Sequence, residues 1–309
     1  MKVLYDIAEF KTDKPVVLTQ GTFDGVHFGH RKILTHVVNE AKKIGGESVL
    51  LTFYPHPRLV LYPDDNELKL LTTIEEKVEL VESLGIDYLV IIPFTKEFSR
   101  LRASEFVRDI LVEKLMLSKL IIGYDHRFGR NREGGIVEMI NFAEVYDFEL
   151  EEISAQDVSE SIVSSTKIRK ALLAGEVHLA KEYLGAEYTI TGKVEEGMQR
   201  GTAIGYPTAN VRVNSSYKLI PKNGVYAVWV YIDEIKYAGM LNVGYNPTFE
   251  DKKWSIEVHI FDFAKNIYHQ EISIAFVSRT RDEQRFDNVA ILINQLREDE
   301  REIRAVLEV

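Results

Sequence analysis

Cysteine is absent from all 309 residues. That removes disulfides, thiolate metal sites and a cysteine nucleophile. Long hydrophobic runs are also missing: none approaches the roughly 20 apolar residues of a membrane span. The opening stretch MKVLYDIAEFKTDK breaks its apolar residues with Asp6, Glu9 and Lys11 and builds no signal-peptide core. A cytoplasmic location with no membrane partner is expected. Positive charge is in short supply, with 38 Lys and Arg against 48 Asp and Glu and a net charge of −10. A duplex-binding protein carries an electropositive footprint, so no nucleic-acid partner is expected. An acidic chain can still hold a triphosphate where cations and backbone N–H groups converge locally.

What is present suits a two-domain protein. Apolar residues make up 45% and charged residues 28%, enough for a core and a solvated surface. Residues 15–19 (PVVLT) read as a short buried strand. Behind GTFDGVHFGH, the residues Ile33, Leu34, Val37, Val38, Ala41 and Ile44 keep one-face helical spacing up to Gly45 and Gly46. Strands are expected over 48–53, 88–92 and 120–123, and helices over 75–84 and 103–117. This alternation implies an α/β domain, a parallel sheet with helices on both faces. Short helices are expected over 166–173 and 177–184. After them the pattern becomes alternating over 188–194, 224–232, 237–243, 255–261 and 271–277, with Asp233 and Glu234 as a hairpin turn. Strands without intervening helices suggest a small antiparallel β-barrel, followed by a long helix over 288–307. The boundary is expected near 185–188, giving domains 1–185 and 186–309.

The segment GTFDGVHFGH, Gly21 to His30, is the first chemical feature. Gly21 and Gly25 allow a tight turn close to a ligand, and Gly29 lies where the helix begins. The first turn of that helix offers unpaired N–H groups and a positive dipole end. His27 and His30 are three residues apart and can project toward one spot, where imidazole donors stabilise developing phosphoryl charge. The competing reading is a glycine-rich turn with two surface histidines. Its setting, strand before and helix after, favours the phosphate site. Farther on, SSTKIRK supplies Ser164, Ser165, Thr166 and Arg169 at a helix start, either a phosphate grip or an ordinary N-cap with solvated lysines.

In the second half, GKVEEGMQRGTAIGYPTAN places Gly197, Gly201 and Gly205 before a Pro-Thr-Ala-Asn element. Thr208 and Asn210 are two apart and emerge on one side of an extended segment. A hydroxyl and an amide oxygen are hard ligands suited to magnesium. Glu257, on the polar face of SIEVHIF, can act as a general base toward a hydroxyl. The alternative is a Gly-Pro loop beside a solvent-facing glutamate.

Four motifs in order, GTFDGVHFGH, TFYPHP (52–57), GYDHRFG (123–129) and SSTKIR (164–169), resemble the N-terminal module of bacterial bifunctional riboflavin kinase/FAD synthetases. GYPTAN, GVYAV (224–228), NVGYNPTF (242–249), EVHIFDF (257–263) and TRDEQRF (280–286) resemble the riboflavin kinase module of the same enzymes. The resemblance implies a Rossmann-like nucleotidyltransferase domain and a kinase barrel. It implies that ATP phosphorylates riboflavin to FMN, and that ATP then adenylylates FMN to FAD with release of pyrophosphate, with Mg2+ as cofactor. In the first module His27 and His30 would contact ATP phosphates. Gly21, Phe23, Asp24 and Gly25 would shape the nucleotide turn, Ser164, Ser165, Thr166 and Arg169 would hold phosphate, and Asp125, Arg127 and Phe128 would lie on the flavin side. In the second, Gly205, Thr208 and Asn210 would bind Mg–ATP, Glu257 would activate the ribityl hydroxyl, and Arg281, Glu283 and Phe286 would lie near the flavin. The sequence departs from the family pattern at His126, Thr202 and Asn246. Thr202, where the family usually has arginine, keeps open the alternative of a monofunctional FMN adenylyltransferase with a degenerate kinase module.

Overall fold

The computed structural model describes residues 1–64, 68–123, 127–154, 163–197, 200–245 and 253–309. Asp125, His126 and Asn246 lie outside the described residues. The chain forms two compact units, Met1–Ser164 and Ser165–Val309.

The first unit contains β1 (Lys2–Leu4), β2 (Val16–Gln20), α1 (Phe28–Lys43), β3 (Glu47–Tyr54), α2 (Pro57–Leu61), α3 (Ile74–Glu82), β4 (Tyr88–Pro93), α4 (Ala103–Glu105), β5 (Leu117–Gly123), α5 (Ile136–Tyr146) and β6 (Glu149–Ile153). Its six strands form one sheet in the order β1-β4-β3-β2-β5-β6, and every pairing is parallel. The sheet is buried on both faces. Along β2, Val16 and Leu18 enter one apolar core with Val49, Leu51, Val90 and Leu120, while Val17 enters the other with Leu34, Val37, Leu50 and Leu89. That two-sided burial explains why β2, β3 and β4 read as continuous apolar runs. From β2 the chain runs outward through β3 and β4 on one side and through β5 and β6 on the other, with β1 added at the β4 edge, so the β2/β5 neighbours form the switch point of the sheet. In open parallel sheets ligands bind there, at the carboxyl ends of the strands.

Two expectations need correction. The helix expected over 103–117 is the short α4 followed by a π-helical stretch over Phe106–Val112, and β5 begins at Leu117, ahead of the expected 120. The apolar phase at Phe106, Val107, Ile110 and Leu111 is real, because all four are buried. It cannot by itself report an i→i+5 hydrogen-bond pattern. Strands β1 and β6 and helix α5 were not expected. β6, read ELEEI, carries three glutamates at a sheet edge, so it lacks the apolar run of its neighbours.

The second unit contains α6 (Ser165–Ala174), α7 (Val177–Leu184), β7 (Tyr188–Glu195), α8 (Arg200–Ala203), β8 (Ala209–Val213), β9 (Gly224–Ile232), β10 (Ile235–Gly244), β11 (Ser255–Ile260), β12 (Glu271–Arg281) and α9 (Val289–Leu307). The six strands close into an antiparallel barrel in the order β10-β11-β8-β7-β12-β9. Asp233 and Glu234 join β9 to β10 with φ of 47° and 65°. Positive φ at both central residues is the two-residue turn whose twist matches the strands it joins. Leu172 on α6 accepts a hydrogen bond from Lys222 N at 3.0 Å, and α7 packs on β7 and β12. Both helices therefore pack with the barrel. Among the described residues no helix is long and apolar enough to cross a membrane.

Candidate active site

The first site is built at the carboxyl end of β2. Gly25 turns the chain with φ of 84°, while Phe23 and Val26 also take positive φ, 44° and 38°. For a β-branched residue such a φ is strained, and strain of this kind persists only where the surroundings enforce it. Here Asp24 enforces it. The side chain is 3% exposed, and its carboxylate accepts from Leu71 N at 3.0 Å, Thr72 N at 3.1 Å and Thr72 Oγ1 at 3.3 Å. Gly25 N donates back to Thr72 Oγ1 at 3.2 Å. Asp24 thus ties the turn to the strap ahead of α3.

His27 is the N-cap of α1, and its Nδ1 accepts the backbone N–H of His30 at 3.4 Å. An Nδ1 that accepts leaves the neutral ring's proton on Nε2, which is then its outward donor. The His30 ring stacks on His27 with centroids 3.6 Å apart and planes within 16°. Phe23 covers its other side at 4.7 Å. Burial pushes the His30 pKa well below its ordinary value, and His27 and Lys77 push it the same way. His30 Nδ1 and Arg31 Nε are buried and make no hydrogen bond among the described residues. Buried polar nitrogens of this kind require partners, and phosphate oxygens are acceptors of the right chemistry. Both histidines converge as the spacing implied.

Lys77 escaped the sequence reading. It is 6% exposed, and its Nζ donates to Thr22 O at 2.8 Å. Its signal was available: a lysine in the apolar phase of Ile74, Val78 and Val81 on an amphipathic helix.

The remaining predicted residues of this module are placed as follows. Phe128 is 7% exposed and sits in the core beside Phe106, with its backbone paired to Gly134. It anchors the turn over residues 128–134. Arg127 is exposed. Ser164 ends the first unit, and Ser165, Thr166 and Arg169 occupy the first turns of α6 in the second.

The second site lies on the barrel. In register, Glu257 of β11 faces Asn210 of β8. Thr208 Oγ1 donates to Glu257 Oε2 at 3.3 Å, and Ser255 Oγ donates to Glu257 Oε1 at 2.8 Å. His259 holds the Pro207 carbonyl through Nδ1 at 2.7 Å. Thr208, Asn210 and Glu257 are therefore brought together although Asn210 and Glu257 are 47 positions apart in sequence. A cavity of about 480 Å³ opens beside them, lined by Gly197, Thr202, Thr208, Asn210, Lys265 and Tyr268 among others. That volume suits a nucleotide-sized ligand. Lys265 and Tyr268 carried no motif signal. Gly205 has φ of 86° in the turn before Pro207.

The expected flavin-side residues are engaged with the protein. Arg281 forks onto Asp299 of α9, with Nε–Oδ1 at 2.9 Å and Nη2–Oδ2 at 2.7 Å. Glu283 accepts from Tyr245 N at 2.8 Å and Asn223 Nδ2 at 3.3 Å. The Phe286 ring lies 5.7 Å from the Arg281 guanidinium.

Comparison with known proteins assigns a family to each half of the chain. The FAD synthetase family model matches residues 9–167, and the riboflavin kinase family model matches residues 184–307. A bifunctional riboflavin kinase/FMN adenylyltransferase of Listeria monocytogenes is 40% identical, with 95% of this chain and 93% of that protein covered. The Escherichia coli protein of the same description is 36% identical, with 92% and 90% covered. A solved structure described as a macrolide-efflux protein from Streptococcus pneumoniae superposes with a TM-score of 0.86 at 31% identity, covering 98% of both chains.

Proposed function

The chain belongs to the bifunctional riboflavin kinase/FMN adenylyltransferase family, and we propose that it makes FMN and then FAD at two separate sites. The functional modules are taken as residues 1–185 and 186–309. The observation that carries the first activity is the stacked His27–His30 pair at the head of α1. The matching of both family models leaves a single-activity reading unfavoured.

At the first site an FMN phosphate oxygen attacks the α-phosphorus of ATP, the new P–O bond forms, and pyrophosphate leaves. Positioning and charge stabilisation carry such a transfer. His27 donates from Nε2, and His30 lies against it in its neutral form. Gly21, Phe23, Asp24 and Gly25 fix the turn, with Asp24 acting through Leu71 and Thr72. Ser164, Ser165, Thr166 and Arg169 are assigned to phosphate on the strength of their motif, and Asp125, Arg127 and Phe128 to the flavin-side loop.

At the second site Glu257 takes the proton of the riboflavin 5′-hydroxyl as that oxygen attacks the γ-phosphorus of ATP, and ADP leaves. The Thr208 and Asn210 oxygens beside Glu257 fit a hard cation, and Mg2+ held there would neutralise phosphate charge. Gly205 shapes the approach of the loop. Arg281, Glu283 and Phe286 border the flavin side, the first two while holding Asp299 and the Tyr245 backbone. The substrates are soluble small molecules, and the cytoplasm is the proposed location.

One assay tests the reading. Purified protein is incubated with magnesium and ATP, given riboflavin or FMN, and the flavins are separated by chromatography. FMN and FAD both form from riboflavin. FAD from supplied FMN alone would reduce the protein to an adenylyltransferase, and no turnover would remove the assignment.

A further inference from the structure

Lys77 occupies a position that α3 otherwise gives to apolar side chains. Val81, one turn on, is fully buried, and Ile74 and Val78 pack against the same core. An ammonium placed there is destabilising unless the surroundings answer it. The answer comes from the turn of the first site. Lys77 Nζ donates to Thr22 O at 2.8 Å, and the same carbonyl accepts from Thr52 Oγ1 at 3.5 Å. Thr22 is the second residue of GTFDGVHFGH. Asp24 acts on Lys77 from the same turn, but its oxygens already accept from Leu71 and Thr72.

We propose that Lys77 is a positioning residue of the adenylyl-transfer site, whose ammonium fixes the Thr22 carbonyl and with it the turn that presents His27 and His30. This rests on the reading of that turn as the site of FAD formation. Two consequences follow from the geometry. The strained turn, with Phe23 and Val26 at positive φ, is held from beneath by Lys77 and from the side by Asp24. The positive charge beneath the turn, together with His27, also disfavours protonation of His30. The titratable groups acting on this pair are Asp24 and His27 from the turn and its helix cap, and Lys77 from α3. Arg31, next to His30 in the chain, is a further partly buried cation on α1.

The test compares Lys77→Met and Lys77→Gln in the full-length protein. Glutamine keeps a neutral donor for Thr22 O, and methionine keeps only volume. Lys77→Met should lower kcat for FAD formation from FMN by about tenfold or more with the KM for ATP changed by less than about threefold, a split that marks lost transition-state geometry. Lys77→Gln should recover part of that loss. Riboflavin phosphorylation by the same preparations should be unchanged and controls for concentration, and hydrogen exchange in residues 1–164 reports the folding of the first unit. A second readout needs no turnover. The ring titration of His30 is followed by NMR, its resonance identified by its loss in His30→Gln. Its midpoint should rise in both Lys77 variants, because each removes the charge that opposes protonation. The acid limb of kcat should move to higher pH with it.

Lys77→Met with kcat within about twofold of wild type would overturn the proposal. So would an unmoved His30 midpoint, or a Lys77→Gln protein no better than Lys77→Met. If Lys77→Met does not fold, Lys77→Gln and its His30 titration decide alone. A wild-type protein that forms no FAD removes the reading of the site, while the titration still decides whether Lys77 controls His30.

Discussion

The His30 ring lies face to face with the His27 ring, 3.6 Å between centroids. Two imidazoles stacked this closely resist carrying two charges, and burial holds His30 neutral well below the ordinary histidine range. His27, with Nδ1 accepting from the helix, presents Nε2–H. The pair is thus a preorganised donor array. His30→Ala should lower FAD formation from FMN by on the order of 10²–10³-fold, the usual effect of losing one such donor. Riboflavin phosphorylation should be untouched. Both rates are read from one flavin chromatogram, and a near-normal FAD rate would remove His30 from the chemistry.

The same buried groups make the first unit sensitive to pH. The folded pKa of His30 lies below its ordinary value of 6.5. The unfolded chain therefore binds more protons as pH falls below that value, and stability falls with it. Lys77 is lowered from 10.5 to about 8 by burial. Between those values the unfolded chain again binds the extra proton, so stability rises as pH increases through that window. The Lys77 shift corresponds to about 3 kcal/mol. Both tryptophans, Trp229 and Trp254, are in the second unit. Hydrogen exchange in residues 1–164 is therefore the measurement to follow. Lys77→Met should abolish the alkaline rise, and a rise that persists in this variant would assign it to another group.

Glu257 is held on both oxygens, by Thr208 and by Ser255. Glu257→Gln keeps the shape of the side chain but removes the base. FMN formation from riboflavin should fall below detection, while FAD formation from supplied FMN continues at the wild-type rate. Loss of both activities together would contradict two separable sites.

Arg281 and Asp299 form a forked pair between β12 and α9, and Asp299 is 1% exposed and also accepts from Gln295 Nε2 at 3.0 Å. Removing Asp299 takes the counter-ion from Arg281, whose side chain stays 19% exposed and keeps the Asp282 carbonyl as an acceptor. Asp299→Ala should destabilise the second unit by about 1–3 kcal/mol, the range for losing hydrogen bonds to a charged group. Tryptophan fluorescence in urea reports it directly through Trp229 and Trp254. An unchanged urea midpoint would mean that the pair contributes nothing measurable.

Legibility in the sequence followed the length and contrast of each pattern. Helix α1 was readable because Leu34, Val37, Val38 and Ala41 form one stripe, and all four are buried. The barrel strand β11 was readable because Ile256, Val258 and Ile260 alternate with Glu257 and His259, and the first three are buried. Strand β1 is three residues long, and β6 is mostly acidic. Neither offers a period to read. At the sites, His27, His30, Thr208, Asn210 and Glu257 were visible because motif spacing is local. What stayed hidden depends on long-range packing. Lys77 meets Thr22 across 55 positions, and Asp24 meets Leu71 across 47. No window of sequence contains both partners.

Gly197 illustrates how such packing reaches function. A Cβ built on it would stand 2.0 Å from Asn210 Nδ2 and 2.8 Å from Asn210 Cγ. Those atoms are the far end of a flexible side chain, so an alanine there would turn the amide aside and leave the strand in place. Asn210 would then lose the position from which it faces Glu257 across the β8–β11 ladder. Gly197→Ala should therefore weaken Mg–ATP use in the kinase reaction, raising the KM for ATP by about tenfold or more, as loss of a binding contact does. The urea midpoint of the second unit should move by less than about 1 kcal/mol in equivalent stability, since the strand ladder is intact. FAD formation from FMN should be unchanged. A Gly197→Ala protein with the wild-type KM for ATP would show that the amide of Asn210 does not govern nucleotide binding.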